Sequence, residues 1–92
     1  MNKRLEAVVF GYVQGVSFRY YTRREAVRLH LSGWVANQFD GTVKVVAEGP
    51  QDSLQELARF LLEGSPAARV DHVKADWLEA TNKYSRFSVR YL

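Results

Sequence analysis

The sequence contains no cysteine among its 92 residues and only two histidines. Without cysteine there is no disulfide framework, no thiol nucleophile and no metal site built on thiolates. His30 and His72 are far apart in the chain, and neither has a partner at the helical or hairpin spacing that metal ligands show. We therefore expect no metal site and no catalytic histidine.

Long apolar runs are also missing. No segment approaches the ~18 consecutive apolar residues that a membrane-spanning helix needs. The apolar stretch behind Asn2, Lys3 and Arg4 contains Glu6, whereas a secretory signal needs ~7–15 apolar residues and a cleavage site. The sequence also lacks internal repeats, low-complexity tracts and linkers. We expect one domain over residues 1–92, cytoplasmic and monomeric, without a membrane partner.

What the chain does contain is typical of a globular domain. Hydrophobic residues make up 47% and charged residues 25% of the sequence, which argues against intrinsic disorder. The formal net charge is +3 at pH 7. This mild excess of positive charge favours an anionic partner, either a macromolecule or a small molecule.

Hydrophobic periodicity predicts the order βαββαβ followed by a short terminal strand. The predicted strands cover residues 4–13, 34–39, 42–49, 70–79 and 86–92, and the predicted helices cover residues 18–30 and 52–64. Two β–α–β crossovers around a hairpin are typical of a ferredoxin-like sandwich, an α+β fold. We expect a mostly antiparallel sheet with both helices on one face.

Two local signals refine this prediction. Asp40 and Gly41 separate two predicted strands, which favours a two-residue hairpin turn of type I′. Ser53 and Glu56 have the spacing of a capping box, which predicts the start of the second helix.

The stretch GYVQGVSFR, residues 11–19, joins the first strand to the first helix. Such junctions often bind phosphate, because the first N–H groups of a helix are unpaired and carry partial positive charge. Gly11 and Gly15 would let successive N–H groups point into one concavity, and Arg19 would add a permanent charge above it. An ordinary turn with a solvated arginine has the same pattern, so both interpretations stay open here. Neither a Walker A loop nor a GxGxxG motif is present.

Other polar residues have ordinary structural explanations when each is taken alone. Asn37 stands late in a predicted strand, where asparagine is disfavoured, and an edge position or a cap beside the turn explains it. Asp40 is expected to be a turn residue rather than an acid. Arg23, Arg24 and Arg28 are expected to form a solvated face of the first helix, where they would raise the local potential.

Together, two of these stretches resemble the acylphosphatase family. G-x-V-Q-G-V-x-F-R at residues 11–19 is followed, at the family's interval, by G-W-V-x-N-x-x-D-G-x-V at residues 33–43. The similarity covers most of the chain and includes EG at 48–49 and GSPAARV at 64–70. The resemblance implies a ferredoxin-like fold and hydrolysis of the carboxyl-phosphate bond of small acyl phosphates, with no metal and no organic cofactor.

The resemblance also implies roles for particular residues. Arg19, which ends the first motif, would bind the phosphate, and Asn37 would position the attacking water. The loop would supply a phosphate cradle formed by Gln14, Gly15, Val16, Ser17, Phe18 and Arg19. The side chains of Gln14 and Ser17 are expected to support this loop.

Three places depart from the family pattern. At one of them, Leu29-His30-Leu31 stands where the family often has Leu-Gly-Leu, and the other two change the charge. Tyr12 stands where the family usually has arginine or histidine, and Lys44 where it often has glutamate. Both changes alter the charge near the motifs, so an effect on substrate preference is expected. A similar domain also begins large carbamoyl-transfer maturation proteins, and the physiological acyl phosphate does not follow from the sequence.

Two other functions are compatible with this fold. An RNA-recognition module has the same element order and is often basic, but it needs exposed aromatic residues in its third strand. The predicted third strand, TVKVVAEG at residues 42–49, has none, so we expect no nucleic-acid partner. A ligand-sensing regulatory domain usually accompanies a second domain, and the sequence contains no sign of one.

Overall fold

The computed structural model describes every residue from 1 to 92, and these residues form one five-stranded sheet and two helices. The strands are β1 (Asn2–Tyr12), β2 (Ser32–Asn37), β3 (Val43–Pro50), β4 (Arg69–Glu79) and β5 (Phe87–Tyr91). The helices are α1 (Phe18–Arg28) and α2 (Gln51–Glu63). Neither helix combines the length and the apolar character that crossing a bilayer requires.

The strands follow the order β4–β1–β3–β2–β5 across the sheet. All neighbours are antiparallel except β2 and β5, which run parallel. Since β4 and β5 occupy opposite edges, residues 80–86 carry the chain from one edge of the sheet to the other. This topology confirms the predicted ferredoxin-like α+β fold with its mostly antiparallel sheet and its additional C-terminal strand.

The hydrophobic core lies between the two helices and one face of the sheet. Alternate residues of a strand point to the same face, and helix residues three or four positions apart share a side, so each element contributes one regular set. The buried sets are Leu5, Ala7 and Val9 in β1; Val43, Val45 and Ala47 in β3; Phe18, Thr22 and Ala26 in α1; and Leu54, Leu57 and Leu61 in α2.

The hairpin between β2 and β3 is confirmed, but the predicted type I′ turn is wrong. The N–H of Gln38 donates to the carbonyl of Thr42 at 2.9 Å, and the N–H of Gly41 donates to the carbonyl of Gln38 at 3.2 Å. Of the three residues between Gln38 and Thr42, only Gly41 has a positive φ, of 92°. Three-residue hairpin loops commonly combine a type I turn with such a left-handed residue. The carboxylate of Asp40 stabilises the loop by accepting hydrogen bonds from Thr42.

The predicted capping box at the start of α2 is also wrong. The chain passes from β3 into α2 at Pro50, which takes the N-cap position, and Gln51 is the first helical residue. Ser53 therefore lies within the first turn and cannot cap it. Its backbone N–H instead donates to the carboxylate of Asp52 at 2.9 Å.

Glu48 is a buried carboxylate on the sheet face opposite the helices. Its side chain is 1% exposed. It accepts hydrogen bonds from Arg4 at 2.9 Å, from the backbone and hydroxyl of Thr81 at 3.0 and 2.9 Å, and from the backbone of Asn82 at 2.8 Å. Burial by itself would raise the pKa of this carboxyl, but the hydrogen bonds outweigh burial and lower the pKa from 4.5 to about 2. The same bonds attach the segment that leads into β5 to the sheet.

The free energy of unfolding is expected to fall in acid because Glu48 must then bind a proton. Its pKa in the folded protein lies below its ordinary value, so the stabilisation is complete above pH 4.5 and is lost as the pH falls towards 2. This shift corresponds to about 3 kcal/mol. Glu48→Gln should therefore be less stable at pH 7 and should show a flatter pH dependence between about pH 5 and pH 3 in urea denaturation.

The matched control for this experiment is Glu79→Gln. Glu79 pairs with Lys3 at 2.9 Å, but its side chain is 85% exposed, so its loss should matter little. If wild type and Glu48→Gln lost stability in parallel as the pH fell, another group would be responsible for the acid sensitivity.

Candidate active site

The junction between β1 and α1 is a loop with two left-handed residues. Gly15 has a φ of 74° and Ser17 has a φ of 61°, with Val16 between them. This kind of alternation turns successive N–H groups towards one side and forms a nest for an anion. No backbone N–H of residues 14–17 donates to an acceptor within the protein. The loop therefore presents unpaired donors at the positive end of α1.

Side-chain hydrogen bonds to neighbouring segments stabilise the shape of this loop. The hydroxyl of Ser65 donates to the carbonyl of Val16 at 2.6 Å in a buried hydrogen bond. The amide of Gln14 donates to two carbonyls of the β2–β3 hairpin, that of Gln38 at 2.7 Å and that of Thr42 at 2.9 Å. These contacts stabilise the loop around Ser17, whose left-handed conformation costs a non-glycine residue about 1–2 kcal/mol. Backbone strain of this kind is concentrated at functional sites.

Gly11, the first glycine of the motif, lies in β1 and not in the cradle. It stands at the register shift in the pairing of β1 with β4, and its φ is 133°. A Cβ at this position would overlap the carbonyl oxygen of Arg69. The interpretation that both glycines shape the phosphate loop is therefore wrong for Gly11, which is needed for the close approach of two strands.

Arg19 and Asn37 line the same cleft, although eighteen positions separate them in the sequence. Arg19 lies in the first turn of α1 and makes no hydrogen bond or ion pair within the protein; its guanidinium carbon lies 5.2 Å from the centre of the Tyr91 ring. Asn37 ends β2, and its Oδ1 is buried without a hydrogen-bond partner. Such an unpaired atom costs about 1–3 kcal/mol, so it indicates a partner outside the protein chain, such as water or a ligand.

The cleft is positively charged and larger than a phosphate group. Its volume is about 730 Å³. Three arginines line it, Arg19, Arg23 and Arg86, and no acidic residue does. This charge favours an anionic ligand, and the volume leaves space for an organic group attached to it.

The structure brings together most of the residues predicted for the site. Gly15, Ser17, Phe18 and Arg19 line the cleft together with Asn37. Two further loop residues lie elsewhere: Gln14 lines a smaller adjoining cavity, and Val16 is a buried member of the core cluster.

Tyr12 and Lys44, the two departures that change the charge, line neither cavity. Tyr12 is exposed at the end of β1. Lys44 is on β3, and its Nζ lies 3.8 Å from a carboxylate oxygen of Glu6 on β1. The expected effect on substrate preference is therefore not supported by a contact with the site.

Sequence reasoning missed several residues of the cleft, and the polar ones among them include Tyr91, Arg23 and Arg86. Arg23 could have been found, because it follows Arg19 by four positions and so lies on the same side of α1. Tyr91 is the parallel register partner of Asn37 in β5, and no local pattern predicts which strand β5 joins.

The protein is a small α+β sandwich of the ferredoxin-like type, with an arginine and unpaired N–H groups at its first strand–helix junction. A family model described as Acylphosphatase matches residues 5–89. A protein of Salinibacter ruber named Acylphosphatase is 48% identical over 89 residues, which are 97% of this chain and 94% of that protein. The chain belongs to the acylphosphatase family.

Two solved structures support the same conclusion. The crystal structure of acylphosphatase from Bacillus subtilis has a TM-score of 0.93 at 37% identity, with 97% of this chain and 99% of that chain covered. The structure of an acylphosphatase from Coxiella burnetii has a TM-score of 0.91 at 40% identity, with 97% and 93% covered. The family and the fold expected from the two sequence motifs are confirmed. The protein is thus an enzyme that hydrolyses acyl phosphates, which are small-molecule substrates.

Proposed function

We propose that Arg19 and the backbone of residues 14–18 hold the phosphate group of the substrate, and that Asn37 positions the attacking water. The observation that supports this assignment best is the buried, unpartnered Oδ1 of Asn37 in the same cleft as the unpaired guanidinium of Arg19. In this proposal, residues 1–92 act as one acylphosphatase domain.

The reaction needs neither a strong base nor a covalent intermediate, because a carboxylate is a good leaving group. The water oxygen attacks phosphorus, and the bond between phosphorus and the acyl oxygen breaks. The electron pair of that bond leaves with the carboxylate. One proton of the water passes to a phosphate oxygen, so an acyl phosphate dianion and water give a carboxylate and dihydrogen phosphate.

Arg19 and the loop stabilise the charge on the equatorial phosphate oxygens. A guanidinium donates two parallel hydrogen bonds, so it orients the phosphate as well as neutralising it. The unpaired N–H groups of residues 14–17 are in place before the substrate binds, so they need no reorganisation during the reaction. Phosphoryl transfer depends mostly on such positioning and charge stabilisation.

Asn37 acts on the water rather than on the phosphate. Its Oδ1 is an acceptor without a protein donor, so it can take a hydrogen bond from a water O–H and fix the direction of the oxygen lone pair. In-line attack requires this water to lie opposite the acyl oxygen.

Hydrolysis of benzoyl phosphate is expected to proceed in EDTA without added metal, because Arg19 and the loop neutralise the phosphate charge. The measurement is the release of phosphate above the spontaneous rate. In water labelled with ¹⁸O, the label should appear in phosphate, because attack occurs at phosphorus. Label in benzoate would instead indicate attack at the carbonyl carbon, and loss of activity in EDTA with recovery on adding a divalent cation would contradict the mechanism.

A further inference from the structure

Phe39 is an aromatic residue with an unusual position beside the active site. It follows Asn37 by two positions, in the β2–β3 hairpin loop, and it is 98% exposed. The loop is well held, because Gln38 Nε2 donates to the hydroxyl of Thr42 at 2.9 Å and Gln14 attaches the loop to the phosphate cradle. The ring is therefore presented to solvent by a loop that hydrogen bonds hold in place.

A second cavity connects Phe39 with the catalytic residues. Its volume is about 350 Å³, and it shares Arg19, Asn37 and Tyr91 with the main cleft. Phe39 and Leu92 line this cavity but not the main cleft. A group attached to a phosphate bound at Arg19 can therefore extend into the cavity that Phe39 and Tyr91 line.

We propose that Phe39 and Tyr91 form the subsite for the acyl group, and that the enzyme favours acyl phosphates whose acyl group is apolar, in particular aromatic. This inference rests on the proposed function, because it assumes that the phosphate lies at Arg19. It adds the recognition of the leaving carboxylate to the recognition of the phosphate.

Three exposed apolar residues meet at this cavity. Leu62 on α2, by contrast, is a single exposed side chain of the kind that most surfaces contain. Phe39, Tyr91 and Leu92 are 98, 82 and 64% exposed and line one cavity. An exposed apolar cluster next to a catalytic site is typical of a binding surface.

Arg19 and Arg90 are the two arginines that line this cavity. The guanidinium of Arg90 lies 5.0 Å from the centre of the Trp34 ring and 5.8 Å from the centre of the Tyr84 ring. Arg90 therefore already contacts two aromatic rings, whereas no cation or aromatic ring stacks on the Phe39 ring.

The test compares kcat/KM for benzoyl phosphate with kcat/KM for acetyl phosphate. Removing a phenyl–phenyl contact that buries roughly 50 Å² of apolar surface corresponds to about tenfold in affinity. Phe39→Ala should therefore lower the ratio of the two kcat/KM values about tenfold, mainly through KM for benzoyl phosphate. Phe39→Leu should retain most of the ratio, because it keeps an apolar side chain.

Leu62→Ala is the matched control, since it removes an exposed apolar side chain that lies outside both cavities. Leu62→Ala should change neither kcat/KM for benzoyl phosphate nor kcat/KM for acetyl phosphate. An unchanged ratio in Phe39→Ala would overturn the subsite, even if both kcat/KM values fell, because equal losses would mean that Phe39 acts on the loop and not on the acyl group. Failure of the wild type to hydrolyse either substrate would overturn the proposed function itself.

Discussion

Arg19→Lys is expected to lower kcat/KM for benzoyl phosphate on the order of 100-fold. Lysine keeps the positive charge but loses the forked pair of hydrogen bonds, so the phosphate is no longer oriented for in-line attack. A misplacement of about 1 Å is enough for an effect of this size. Arg19→Ala also removes the charge, and a loss on the order of 1,000-fold is expected, with weaker inhibition by inorganic phosphate.

The stability of both Arg19 variants should remain close to that of the wild type. In the free protein the guanidinium contacts the exposed ring of Tyr91 and makes no hydrogen bond or ion pair. Its loss should therefore lower the free energy of unfolding by only about 0.5–1 kcal/mol. Arg24→Lys and Arg24→Ala are matched controls, since Arg24 lies on the same helix and stacks on Tyr21 outside the cleft. Near-normal kcat/KM in Arg19→Lys would refute the need for a forked donor, and near-normal kcat/KM in Arg19→Ala would refute the site.

Asn37→Ala is expected to lower kcat on the order of 100-fold while inorganic phosphate remains an equally strong competitive inhibitor. In the proposed mechanism the partner of Asn37 is the attacking water, so the contribution of Asn37 appears in the transition state and not in phosphate binding. Kinetics with benzoyl phosphate and the inhibition constant of phosphate, measured on the same preparation, separate the two effects.

Stability provides a second, independent criterion for Asn37. The buried Oδ1 has no partner, so removing it should leave the free energy of unfolding unchanged or slightly higher. Asn2→Ala is the control, since it removes an exposed amide whose contact, Asn82 at 3.5 Å, is outside the cleft. If Asn37→Ala weakened phosphate inhibition as much as it lowered kcat, Asn37 would be a phosphate ligand instead.

These two predictions concern residues that the fold brings together through different elements. Arg19 is oriented by α1, whose start is held by the cradle, and Asn37 is oriented by β2, whose end is held by the hairpin loop. Gln14 connects the cradle with the hairpin loop, because its side-chain amide donates to the carbonyls of Gln38 and Thr42 at the two ends of the loop. In the proposed mechanism, the distance between phosphate and water thus depends on side-chain contacts of Gln14, which does not itself take part in the reaction.

Most of the elements could be predicted from local patterns. The apolar spacing in α2 and the alternation in β1 and β3 correspond to the sets that the core buries, because burial on one face imposes the same period on sequence and structure. Errors arose where a neighbouring element determined the outcome. Pro50 begins α2 before Ser53 can cap it, and contacts from Thr42 stabilise a different turn at Asp40.

The sequence by itself determined the order of the elements, the fold class and, through the two motifs, the family with Arg19 and Asn37 as the candidate residues. Only the tertiary structure decided that Gly11 allows the close approach of β1 and β4, and that Tyr91 lies beside Asn37. It also decided that Phe39 lines a cavity together with these two residues, Asn37 and Tyr91. The physical reason is the range of the interactions. Helix and strand periods are set by residues a few positions apart, whereas the neighbour of β5 depends on the packing of the whole sheet.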